Sequence, residues 1–148
     1  GLSEVAMRRG NAEESLALSE EAQATFAALG NTSGAALETL GVGAAKASLG
    51  RTDEALADLR DALLWFAGDK ERERHERFTL ETLVELGTAL NNDDGLRLLH
   101  AAHAHYVKAG ALNGARAIEE RLQGHSFALA PLSLEGAIAL ALTLTAPD

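Results

Sequence analysis

Laid over itself with a shift of 40 residues, the chain matches in three registers. Phe26 falls on Phe66 and Phe66 on Tyr106. Leu16, Leu56 and Leu96 coincide, as do Ala22, Ala62 and Ala102. Ser15, Ala55 and Gly95 give a small residue each time, and Glu13-Glu14, Asp53-Glu54 and Asp93-Asp94 an acidic pair. Gly30 and Gly110 agree across two periods. A fixed period of this length marks a stacked array, because so short a unit cannot bury its apolar face alone and must lean on its neighbour.

Each period holds two helices. In GRTDEALADLRDALLWFAG, 50–68, Gly50 ends one helix and Thr52 is placed to cap the next. Asp53 and Glu54 fall in its first turn, facing the positive end of the helix dipole. Ala55, Leu56, Leu59, Ala62, Leu63 and Phe66 then follow the three-and-four spacing of one helical face. Asn92 and Asn11 are the corresponding caps one period later and earlier. The pattern predicts second helices over 12–29, 52–67 and 93–109, intervening helices over 32–49, 70–91 and 111–123, and a partial first helix over 2–9. Gly41-Val42-Gly43 follows no strand, so its glycines read as close helix packing and not as a phosphate cradle. Glycine inside a helix costs roughly 1 kcal/mol against alanine, which packing must offset.

This arrangement resembles the tetratricopeptide repeat family. With Ala36 taken as the first family position, Val42-Gly43 fill the seventh and eighth, Gly50 the fifteenth and Ala55 the twentieth. Leu59 and Ala62 fill the twenty-fourth and twenty-seventh. The flanking repeats are looser: Leu83 stands where the eighth-position glycine is expected, Gly95 replaces the twentieth-position alanine, and Thr39 replaces the family tryptophan. The 40-residue spacing is similar to the longer variety of the family found in bacterial regulators, beside DNA-binding or nucleotide-hydrolysing domains. FAALGNTSGAALETLG, 26–41, is similar to those repeats. The resemblance covers about 2–123. It implies an all-α, right-handed superhelical solenoid of antiparallel helix pairs whose first helices line a concave wall. Carried over position by position, the wall is Leu37, Leu40, Ala44, Ala47 and Ser48, then Arg77, Leu80, Val84, Gly87 and Thr88. An apolar helix or extended peptide is the implied occupant, with ordinary core contacts as the competing reading of these residues.

The rest of the composition narrows the function classes. At 148 residues one domain is expected. A formal net charge of −9 argues against direct nucleic-acid binding, which needs a basic face. With no cysteine there is no disulfide scaffold, thiolate metal site or cysteine nucleophile. No apolar run reaches membrane-spanning length and no signal peptide opens the chain, so a cytoplasmic location is expected. Gly1 in place of methionine reads as a segment processed or cut from a longer protein. HAAHAHY, 100–106, puts His100 and His103 at legal metal spacing, but without a zinc-protease carboxylate they read as surface or groove histidines. KERERHER, 70–77, reads as a solvated helix start with pairs Glu71–His75 and Glu73–Arg77. No serine lies in a nucleophile elbow and no carboxylate pair is singled out for acid–base work, so neither enzymatic activity nor a cofactor is expected.

After Gly124 the repeat ends. HSFALAPLSLEGAIALALTLTAPD, 125–148, has no lysine or arginine. Ile138, Leu140, Leu142 and Leu144 alternate with Ala139, Ala141, Thr143 and Thr145, a strand period favoured over 137–145. The competitor is a helix capped by Ser133, with Leu134, Ile138 and Leu142 on one side. The expected organisation is a repeat domain over 1–124 and an apolar tail over 125–148. That tail either starts a further domain, covers the last repeat or pairs with a second copy through 126–145. The expected role is protein–protein interaction within a larger bacterial signalling or transcriptional regulator. Ligand or peptide sensing and assembly chaperoning are the alternatives.

Overall fold

A computed structural model of the chain describes residues 2–70, 72–123, 125, 127 and 129–147, with side chains described from Gly10 onward except that of Arg72. Among them the regular structure is all helical. The helices are α1 (Leu2–Ala28), α2 (Thr32–Ser48), α3 (Thr52–Gly68), α4 (Glu76–Leu90), α5 (Asp93–Ala109), α6 (Leu112–Leu122) and α7 (Leu134–Leu144). A short 3-10 turn, Arg72–His75, leads into α4.

Local chemistry sets most of these boundaries. Asn31 Oδ1 accepts from the Gly34 amide at 2.9 Å and Asn92 Oδ1 from the Gly95 amide at 2.8 Å. Each satisfies an amide that the first helical turn cannot pair. At the other ends, Gly30, Gly50 and Gly110 take φ of +71°, +79° and +75°, a left-handed conformation that side chains disfavour. The turn lets the next amide reach back: Asn31 N to Phe26 O, Arg51 N to Lys46 O and Ala111 N to Tyr106 O, each at 2.9 Å. Thr52, expected as a cap, is instead the first residue of α3. Arg51 holds the cap position and grips Glu54 with bonds of 2.7 and 2.9 Å.

From α1 to α6, consecutive helices pack antiparallel. Phe26 at the end of α1 covers Gly34 at the start of α2, while Gln23 Nε2 donates to Thr39 Oγ1 at 2.7 Å and Ser19 lies beside Gly41. In α5 and α6 the same pairing recurs eighty residues on: Tyr106 covers Gly114, and His103 meets Glu119 at 2.9 Å. Phe26 and Tyr106 are therefore equivalent. Phe66 is not, because no left-handed glycine turn follows it. It is buried between Trp65, His75 and Phe78, with ring centroids 5.5–5.8 Å away.

Glycines mark the closest crossings. A Cβ on Gly43 would stand 2.7 Å from Leu59 Cγ, and one on Gly87 would stand 2.7 Å from the Gly95 carbonyl oxygen. Gly87 thus does in α4 what Gly43 does in α2, forty-four residues earlier. The helix α4 is displaced by four residues, about one turn, from the period of forty. The Arg72–His75 turn supplies the extra length, and the short Asn91-Asn92 connection takes it back before α5. The sequence had placed this helix's start at residue 70.

The core centres on α3. Leu59, Leu63 and Phe66 are buried with Leu83 and Leu86 of α4, Leu98 of α5, and Ala137, Ile138 and Ala141 of α7. The 50–68 stretch leans on α2 and α4 beside it and on α7 over it. Two further expectations are corrected. The chain is one helix from Leu2 to Ala28, not two pieces meeting at Asn11. A single glycine at position 10 weakens a helix without ending it. The favoured strand at 137–145 is a helix, capped by Ser133 Oγ accepting from the Gly136 amide at 3.0 Å. Its buried residues fall at helical spacing, and the alternation seen in sequence came from alanines, which suit either face. Arg60 Nη1 from α3 donates to Leu142 O at 2.5 Å and Thr145 Oγ1 at 3.1 Å, holding the last turn. The strand needed for pairing with a second copy is absent from the described residues.

Candidate functional site: a trough across alternate helices

The helices α2, α4 and α6 present one side to a trough of about 410 Å³, within the range of ligand clefts, about 300–1,000 Å³. Leu37, Leu40, Gly41 and Ala44 line it from α2, Glu81, Val84 and Glu85 from α4, and Gly114, Ala117, Ile118 and Arg121 from α6. Tyr106 reaches in from α5. The small residues keep the helix backbones near the surface and the trough open. Toward α1 a second hollow of about 670 Å³ continues it, sharing Gly41, Ala44, Glu85 and Arg121 and adding Ala47, Ser48 and Thr88.

Of the residues expected on the wall, Leu37, Leu40, Ala44 and Val84 lie in the trough, and Ala47, Ser48 and Thr88 in its continuation. Three lie elsewhere. The Arg77 side chain is 79% exposed and pairs with Glu81 at 3.2 Å. Leu80 is buried against Leu99, Ala102 and Ile118. Gly87 is buried at the crossing with α5. The physical reason is the displacement of α4. Counting forty-four from Leu37, Leu40 and Gly41 reaches Glu81, Val84 and Glu85, all in the trough, whereas counting forty reaches Arg77, Leu80 and Glu81. The α6 wall escaped the sequence reading, although counting eighty from Leu37 and Gly41 reaches Ala117 and Arg121.

The charged groups are few and unequally satisfied. Arg121 Nη1 donates to Thr88 Oγ1 at 2.8 Å, tying the ends of α4 and α6 together. Glu81 has Arg77. Glu85 is half-buried, and among the described residues it has no hydrogen bond and no ion pair. Its burial pushes the carboxyl above the ordinary carboxylate range; Arg121 opposes the rise and Glu81 adds to it. Burial likewise raises the Tyr106 hydroxyl, with Glu81 again adding and Arg77 opposing.

The other candidate clusters resolve into structural contacts. His103 meets Glu119, His105 meets Glu76 at 2.6 Å, and the His100 ring stacks on Phe127 at 3.8 Å. Among the described residues no three histidine or carboxylate side chains gather as a metal site. In the 70–77 run, His75 bonds to Asp69 at 2.9 Å, and Arg77 pairs forward with Glu81, not back with Glu73. The expected Glu71–His75 pair involves Glu71, which lies outside the described residues. Among the described residues no helix is long and apolar enough to cross a membrane.

Compared with family models, curated proteins and solved structures, the chain matches none.

Proposed function

We propose that the chain is a protein-interaction module of tetratricopeptide type, a superhelical array that takes an apolar peptide segment in its trough. The observation that carries the reading is the alternation of roles. The helices α2, α4 and α6 share the trough, while α3 and α5 take no part in it apart from Tyr106 and pack into the core with α7 and the buried residues of α2 and α4. One helix of each pair is thereby left to present side chains outward along a common surface. The lining is mostly apolar and reaches solvent through Leu37, which is 38% exposed. Burial of about 400 Å² of apolar surface by a peptide would supply roughly 10 kcal/mol gross, much of it offset by ordering and association costs. The likeness of 26–41 to regulator repeats extends the reading to a segment of a larger bacterial signalling or transcriptional regulator.

The test is a peptide-display selection against the intact chain, followed by affinity measurement on two variants. Leu37→Glu and Ala117→Glu place a charge on exposed positions of the open wall without disturbing fully buried side chains. Each is expected to weaken selected peptides at least about tenfold, roughly 1.4 kcal/mol, while the helical circular dichroism stays that of the parent. Peptides that bind both variants as tightly as the parent would reject the trough as the binding surface. Leu40 is unsuited to this test because it is only 6% exposed and a charge there would unfold the core.

A further inference from the structure

The trough is lined by two carboxylates, Glu81 and Glu85, and one guanidinium, Arg121. Glu81 pairs with Arg77 outside the lining, and Arg121 donates to the neutral Thr88 hydroxyl, which leaves its charge in place. The Glu85 side chain faces the trough without a hydrogen bond or ion pair among the described residues, on a side of α4 that Glu81 and Val84 also line. Arg121 is near enough to be felt electrostatically. The α2 side offers Leu37, Leu40, Gly41 and Ala44, none of which can serve a carboxylate through its side chain. A half-buried anion with no partner is costly, and a cation brought by an occupant would relieve that cost. The whole-chain charge of −9 disfavours an acidic occupant as well.

We propose that the trough selects an apolar peptide segment carrying one lysine or arginine, with the cation seated beside the Glu85 carboxylate. This deepens the interaction reading and rests on it. The apolar residues of the segment contact Leu37, Val84 and Ala117, and the cation sets register along the groove. A charge pair formed at a partly desolvated site is worth more than one on an open surface, so discrimination by about tenfold is expected over an uncharged segment of the same shape.

The experiment uses three synthetic helical peptides with one leucine–alanine face, differing only at a central residue that is lysine, norleucine or glutamate. Their binding to the intact chain is followed by fluorescence anisotropy, and the site by backbone amide shifts. The lysine peptide is expected to bind about tenfold tighter than the norleucine peptide, with the glutamate peptide weakest. Glu85→Gln is expected to bring lysine and norleucine peptides within about threefold of each other. Glu120→Gln, which removes the same charge from an exposed position outside the trough, is expected to leave the preference in place. A preference that survives Glu85→Gln, or is lost equally in Glu120→Gln, overturns the proposal by showing attraction to net charge alone. If all three peptides shift the Val84 and Ala117 amides with equal affinity, the cation claim falls and the trough reading stands. If no peptide shifts those amides, both fall.

Discussion

At the scale of the residue, Glu85 is the most exposed to a direct physical test. Its neighbours are Glu81 on its own helix, Arg121 from α6 and the Tyr106 ring from α5, with apolar side chains and glycine opposite. Because burial raises its folded-state pKa above the unfolded value, the folded protein holds the proton more firmly than the unfolded chain does. Stability then falls as pH rises from the ordinary carboxylate value, about 4.3, through the raised value. Above that window the full cost of the buried charge is present. Glu85→Gln removes the charge while keeping the shape. The variant is expected to melt at a higher temperature than the parent near neutral pH, and the difference is expected to vanish as pH falls to about 4 or below. Thermal melts at a series of pH values check this. A variant less stable than the parent at neutral pH would mean that Arg121 outweighs burial.

At the scale of the element, glycine does two opposite things in this chain. Gly95 lies where α4 and α5 cross, and a Cβ there would stand 2.5 Å from the Gly87 carbonyl oxygen. Backbone cannot swing aside as the end of a side chain can, so Gly95→Ala must push the helices apart. The expected cost is about 2–3 kcal/mol, the scale of overpacking a core. Gly10 lies inside α1 with nothing within 4 Å of a would-be Cβ. Gly10→Ala is expected to gain about 0.5–1 kcal/mol from helix propensity. Urea unfolding of the two variants measures both signs in one assay, and equal effects would contradict the crossing geometry. The displacement of α4 belongs to this scale too. A four-residue turn, Arg72–His75, moves one helix along its axis by about one turn and so exchanges Arg77, Leu80 and Gly87 for Glu81 and Glu85 along the trough.

At the scale of the molecule, α7 is the closing element. Ala137, Ile138 and Ala141 are buried in the same core as Leu63, Phe66, Leu86 and Leu98. Leu134, Leu140 and Leu142 add partly buried surface. A chain ending before Ser133 is expected to lose about 3 kcal/mol or more, on burial of that apolar area at roughly 25 cal/mol per Å². Urea midpoints of the two chains measure the loss. Equal midpoints would make the tail an appendage instead of a part of the core. The trough lies on α2, α4 and α6 and shares no lining residue with α7. Leu40 and Ile118 nonetheless belong to both the trough and the buried cores, so the positions free to vary are the exposed ones, such as Leu37 and Ala117.

Sequence alone determined the helical class, the cap at Asn92, the helix end at Gly50, and the extents of α2, α3, α5 and α6 to within a residue or two, but it missed the cap at Asn31. It aligned Phe26, Phe66 and Tyr106 as one set, of which the structure keeps Phe26 and Tyr106 equivalent and sets Phe66 apart. These features are local or periodic: each depends on a hydrogen bond a few residues away, or on an apolar face whose spacing is written in the chain. The displacement of α4, the continuity of α1 through Asn11, the helix at 134–144 and the unpaired Glu85 were decided by tertiary structure. Each depends on which neighbour covers which face, and the sequence of the element does not carry that information. Alanine made the ambiguity worst in the tail, since it is small enough to lie on either face and commits a segment to neither period.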